Sequence, residues 1–186
     1  ILIMKINKFI PILLILLISV TSCSKDDDNV VIEAVNEEEV ITTMEVTLTY
    51  GTSVITLKTQ DLDGDGPNTP VVTVSGNLAA GTTYSGAIKV LNELESPAED
   101  ITEEVEEEDL DHQFFFTAAS GLDVTTEYSN LDSAGNNLGT QFTLTTGLAS
   151  SGDLTFTLRH EPTKPNTGLA SAGGETDIEA TFNITI

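Results

Sequence analysis

Leu154-Thr155-Phe156-Thr157-Leu158 alternates apolar and polar residues at period two, the spacing of a strand with one face buried and the other in water. The same period runs through Val46-Thr47-Leu48-Thr49, Phe142-Thr143-Leu144-Thr145 and Phe182-Asn183-Ile184-Thr185-Ile186. Further strands read at 53–59, 70–76, 82–91, 113–118 and 122–128, separated by Gly, Asn, Asp and Ser clusters that turn the chain. Threonine reaches 27 residues, mostly in these stretches, where a β-branched side chain fits a half-buried pleated surface. The pattern predicts an all-β domain: an antiparallel β-sandwich of about nine strands on an immunoglobulin-like plan, with an open barrel as the alternative.

Connection lengths alternate along the chain. With successive strands antiparallel, the short connections at 51–52, 76–81, 119–121 and 147–152 fall at one end of the sandwich. The long ones at 60–69, 92–111, 129–138 and 161–176 fall at the other. Binding surfaces are commonly built from loops held on a rigid scaffold, so the long-loop end is the candidate functional face.

Three features belong to that end. Asp61-Leu62-Asp63-Gly64-Asp65-Gly66 sets carboxylates at alternate positions and a Gly at the sixth, like the first half of an EF-hand calcium loop. Asp61, Asp63 and Asp65 are therefore candidate calcium ligands, or else solvated residues of a Gly-rich turn. Residues 93–111 carry eleven acidic groups and no basic one. Glu103, Glu104, Glu106, Glu107, Glu108 and Asp109 form a candidate partner face, or else a solvated charge run. Ser96-Pro97-Ala98-Glu99 matches a capping box, so the segment admits a short acidic helix within 97–110, opposed by like-charge pairs four residues apart. His112 and His160, the two histidines, fall at the same end. Imidazole beside carboxylate suits zinc or copper, with Asp111 and Glu161 adjacent in sequence, although two separated histidines equally suit ordinary strand ends.

At the other extreme of the chain, Lys5 and Lys8 precede an apolar run from Phe9 to Val20, and small residues lead to Cys23. The order is that of a bacterial secretory signal, with a run too short for a bilayer span of about 20 residues. Val20-Thr21-Ser22-Cys23 resembles the lipobox of bacterial lipoproteins, which implies that Cys23 is acylated, as with palmitate, and becomes the first mature residue. Met4 is the natural start of that signal. Ser24-Lys25-Asp26-Asp27-Asp28 resembles the surface-export signal of Bacteroidota lipoproteins, which implies an outer-membrane anchor facing the cell exterior. The expected organisation is a signal peptide at 1–22, a lipidated acidic tether at 23–43 reaching on the order of 60 Å, and one domain at 44–186.

The formal charge is −23, and removing the signal leaves 5 basic against 30 acidic residues, or −25. Such a chain repels nucleic acid and anionic lipid surfaces. The segments Asp61 to Asn68, Ala98 to Glu104 and Leu158-Arg159-His160-Glu161-Pro162 resemble a family of small Bacteroidota lipoproteins often labelled "type 1 periplasmic binding fold superfamily protein". That label implies a two-lobed α/β receptor, whereas the alternating strands argue for a sandwich. No nucleophile motif is present, so a non-enzymatic binding or accessory module is expected, beside an outer-membrane TonB-dependent transporter by analogy of general plan. Capture of divalent calcium or zinc by the same loops is the alternative.

Overall fold

Strands of period two pair into two antiparallel sheets in this computed structural model, which describes residues 39–64 and 66–186. Cys23, the run Lys25 to Asp28 and the segment up to residue 38 lie outside the described residues, as does Asp65. In chain order the elements are β1 (Thr43–Tyr50), β2 (Ser53–Gln60), β3 (Val71–Val74), β4 (Thr83–Asn92), β5 (Glu99–Asp100), α1 (Ile101–Glu107), β6 (His112–Ala118), β7 (Val124–Tyr128), β8 (Gln141–Thr146), β9 (Ser151–His160), α2 (Leu169–Ala172) and β10 (Glu175–Thr185). The larger sheet runs β3-β2-β1-β4-β8-β7, with β5 paired to β4; the smaller runs β10-β9-β6. The domain is an antiparallel β-sandwich. Among the described residues no helix is long and apolar enough to cross a membrane.

The alternation decides which side chains meet between the sheets. Val46 and Leu48 of β1, Ile88 and Val90 of β4 and Phe142 and Leu144 of β8 face Phe114 of β6, Leu154, Phe156 and Leu158 of β9 and Phe182 and Ile184 of β10. The rings of Phe116, Phe142, Phe156 and Phe182 form a chain with centroids 4.7–5.9 Å apart. Gly86 lies opposite Phe142, and a Cβ there would sit 2.4 Å from that ring, so the residue is glycine because the phenyl group occupies its side-chain space. Outward threonines pair across strands, Thr83 with Thr145 at 2.9 Å and Thr155 with Thr181 at 2.8 Å, which gives the polar face its own ladder.

Register fixes the long-loop end. Thr43 opens β1 opposite Gln60 closing β2 and Leu91 near the close of β4. In the smaller sheet His112 opens β6 opposite His160 closing β9, which in turn faces Glu175 opening β10. The loops between are tied together: Lys164 Nζ donates to the Asp109 carbonyl at 2.6 Å and to Asp132 Oδ2 at 3.1 Å, and Ser133 N donates to Asp109 Oδ2 at 2.7 Å.

The acidic segment corrects one expectation. Ser96 does not cap the helix, because Glu99 and Asp100 pair with Asn92 and Leu91 as β5 and the helix starts only at Ile101. Asp100 is the N-cap, its Oδ1 accepting from Thr102 N at 3.2 Å. Ile101 and Val105, four residues apart, are buried on one side of α1, and this packing outweighs like-charge repulsion worth a few tenths of a kcal/mol per pair.

Candidate metal centre

The two histidines stand where two core rows reach the rim. Leu154, Phe156, Leu158 and His160 alternate along the inward face of β9, and His112, Phe114 and Phe116 along that of β6. Because His112 and His160 are cross-strand partners, their rings meet at 4.9 Å between centroids, edge to face at 71°. His112 is fully buried and His160 nearly so.

Adjacent residues on a strand point to opposite faces, so the carboxylates that meet these rings are not Asp111 and Glu161, which are both exposed. They are Glu39 and Asp177. Between Thr176 and Ile178 the pairing of β10 with β9 shifts register, a bulge with Asp177 as the extra residue. The bulge turns Asp177 inward, where regular alternation would leave it on the outer face with Thr181 and Asn183. Its side chain is 2% exposed, with Oδ1 3.7 Å from His160 Nδ1 and Oδ2 3.9 Å from His112 Nε2.

Glu39 arrives from the opposite sheet. Thr42 holds its segment to β4: Thr42 N donates to the Leu91 carbonyl at 2.9 Å, and Glu93 N donates to Thr42 Oγ1 at 2.8 Å. Residues 39–42, which read as the end of a solvated tether, are thus packed on the domain. The Glu39 side chain is 4% exposed, and its Oε1 lies 3.5 Å from His112 Nε2.

Hydrogen bonding sets the tautomer of His112. Its Nδ1 lies 3.2 Å from the Glu108 carbonyl, an acceptor only, so Nδ1 carries the proton and donates. Nε2 is left to face Glu39 and Asp177. It has no hydrogen-bond partner among the described residues, and neither has either oxygen of Glu39. Burying a carboxylate without compensation is costly, and among the described ion pairs no Lys or Arg pairs with Glu39. One donor atom from each of Glu39, His112, His160 and Asp177 lies within 4.8 Å of all the others. Zinc–ligand bonds of about 2.0–2.1 Å put tetrahedral donors about 3.4 Å apart. Closing onto an ion therefore asks each donor pair to draw together by at most about 1.4 Å.

The other sequence-derived residues that the structure describes lie outside this cluster. Asp63 Oδ2 accepts from Asn68 Nδ2 at 2.6 Å and from Asn68 N at 3.3 Å, and Asp61 Oδ1 accepts from Asp63 N at 3.2 Å. The side-chain hydrogen bond from Asn68 holds the Asp63 carboxyl below its ordinary range. Asp61 and Asp63 thus build a self-bonded turn, and line a hollow of about 360 Å³ with Val40, Leu62, Pro70 and Ile178, apart from the histidine cluster. In the acidic segment, Glu106 accepts from Thr140 Oγ1 at 2.6 Å and Asp109 holds Ser133, so both serve loop packing. Glu103, Glu104, Glu107 and Glu108 line a second hollow with Glu99 and Asp100.

No local signal marks Glu39, hidden in the run Glu37-Glu38-Glu39, or Asp177, which sits at an outward position of a period-two strand. No protein-family profile, curated protein or solved structure matches the chain.

Proposed function

We propose that this chain is a lipid-anchored, non-catalytic β-sandwich module that binds a divalent transition-metal ion, zinc by its donor set, through Glu39, His112, His160 and Asp177. The observation that carries the proposal is the buried pair of His112 Nε2 and Glu39 Oε1, 3.5 Å apart and without a hydrogen-bond partner among the described residues. Two imidazoles and two carboxylates are a borderline donor set that suits zinc or copper, whereas calcium prefers six to eight oxygens. Four protein donors complete a tetrahedron and leave no position for substrate, the pattern of structural zinc sites. The lipobox around Cys23 supports the anchor.

Calorimetric titration of residues 39–186 with zinc tests the proposal. Saturable binding is expected, weakening as pH falls because imidazoles bind only when unprotonated. His112→Ala with His160→Ala should lose it and Asp63→Asn should keep it. Equal zinc binding by the double variant would overturn the assignment.

A further inference from the structure

The hollow beside Asp61 and Asp63 is walled by both sheets, through Thr59 of β2 and Ile178 and Glu179 of β10, and by residues 40–42 leading into β1. Its volume of about 360 Å³ falls within the range of about 300–1,000 Å³ found for small-molecule sites. Val40, Ile41, Leu62, Pro70, Leu94 and Ile178 make most of the wall apolar. Val40, Leu62 and Leu94 stand exposed there, so an apolar ligand seated among them removes their surface from water.

Thr59 gives the hollow a polar point at its buried end. Leu57 and Thr59 share the inward face of β2, and Thr59 is 7% exposed. Its hydroxyl makes no hydrogen bond among the described residues. Thr42, the other hydroxyl of the wall, is already engaged, donating to the Leu91 carbonyl at 3.1 Å and accepting from Glu93 N at 2.8 Å. A buried hydroxyl without a partner is costly, and a ligand group reaching Thr59 would supply one.

The mouth carries charge of one sign. Asp63 and Glu179 are exposed and Asp61 half-buried, and no Lys or Arg lines the hollow. None of the three carboxylates pairs with a Lys or Arg among the described ion pairs. A cleft with acidic rim and apolar walls concentrates organic cations and turns anions away.

We propose that this hollow binds a small amphipathic amine, with its apolar body against Leu62, Leu94 and Ile178, a hydrogen-bonding group at Thr59 and its ammonium at Asp61 and Asp63. The site is independent of the zinc reading, because none of these residues belongs to the histidine cluster.

Tyramine, which joins a phenol, a ring and an ammonium, is the probe, titrated into the chain by calorimetry. One tyramine per chain is expected to bind saturably at millimolar concentration or below. Phenethylamine, which lacks the hydroxyl, should bind about tenfold more weakly because Thr59 is then left unpaired. Thr59→Val should erase that difference without lowering the melting temperature. Asp61→Asn with Asp63→Asn keeps the carbonyl oxygens that hold the turn and should weaken both amines by about fivefold, the worth of an exposed ion pair. Hydroxyphenylpropionate, with the same ring and hydroxyl but a negative charge, should not bind. Absence of saturable tyramine binding, equal binding of the anion, or binding unchanged in the double aspartate variant would overturn the site. A preference for tyramine that survives Thr59→Val would overturn the role of Thr59. A chain that binds tyramine but no zinc would overturn the metal reading alone, so the two failures are separable.

Discussion

Asp132 and Gly86 show how single residues hold the frame that carries the candidate metal centre. The Asp132 side chain is fully buried against Lys164, itself 6% exposed, and accepts from Ala134 N and Asn136 N at 3.0 and 2.7 Å. Burial alone would raise the Asp132 carboxyl, but the hydrogen bonds from Asn136 and the charge of Lys164 prevail and hold it below its ordinary range. A folded pKa below the unfolded one contributes stability above the unfolded value, lost as pH falls through the folded value. Acid unfolding followed by circular dichroism should therefore start at higher pH in Asp132→Asn. At neutral pH the variant, which leaves Lys164 buried without its counter-charge, should lose about 3–5 kcal/mol. At Gly86, alanine would press its methyl into the buried Phe142 ring, and overpacking of this kind costs about 1–3 kcal/mol. Denaturant melts of Gly86→Ala should show that loss, and Phe142→Leu in the same chain should restore part of it.

At the scale of elements, the candidate metal centre is an agreement between four segments. β6 and β9 bring the histidines, the bulge in β10 brings Asp177, and the strand-like entry to β1 brings Glu39 from the other sheet. Zinc held by all four would therefore fasten residues 39–42 to the smaller sheet. Amide hydrogen exchange of Ile41 to Thr43 should slow when zinc is added, and Glu39→Gln should abolish most of that slowing while leaving exchange in β9 unchanged. Exchange at Ile41 to Thr43 indifferent to zinc would show that Glu39 is not a ligand. The same logic explains α1, whose acidic face is tolerated because Ile101 and Val105 anchor it in the core.

For the whole molecule, the excess of 30 acidic over 7 basic residues sets the electrostatics around the candidate metal centre. Zinc should raise the melting temperature more than sodium chloride of equal ionic strength, since binding to the native state adds RT ln(1 + [L]/Kd) whereas salt only screens. In cells, Cys23→Ser should abolish lipid labelling. Replacing Lys25 to Asp28 with Ala should leave the protein acylated yet protected from protease on intact cells; unchanged protease access would dismiss the export signal.

Much of the fold follows from local pattern. The period-two runs set the strands, Gly and Asn clusters set the turns, and the alternation of short and long connections brought His112 and His160 to one end, because each of these depends on residues close together in sequence. Other features depend on pairing between distant strands. The capping box at Ser96 lost to β5 because Asp100 found a ladder partner in Leu91. Asp177 turns inward through a register shift defined by β9, and Glu39 is buried because Thr42 is clamped on the end of β4. The sequence by itself determined the strands, the acidic surface and the end at which the histidines lie. Only the tertiary structure decided which carboxylates join them, since a side chain's direction at a bulge or a strand entry is set by hydrogen bonds to segments tens of residues away.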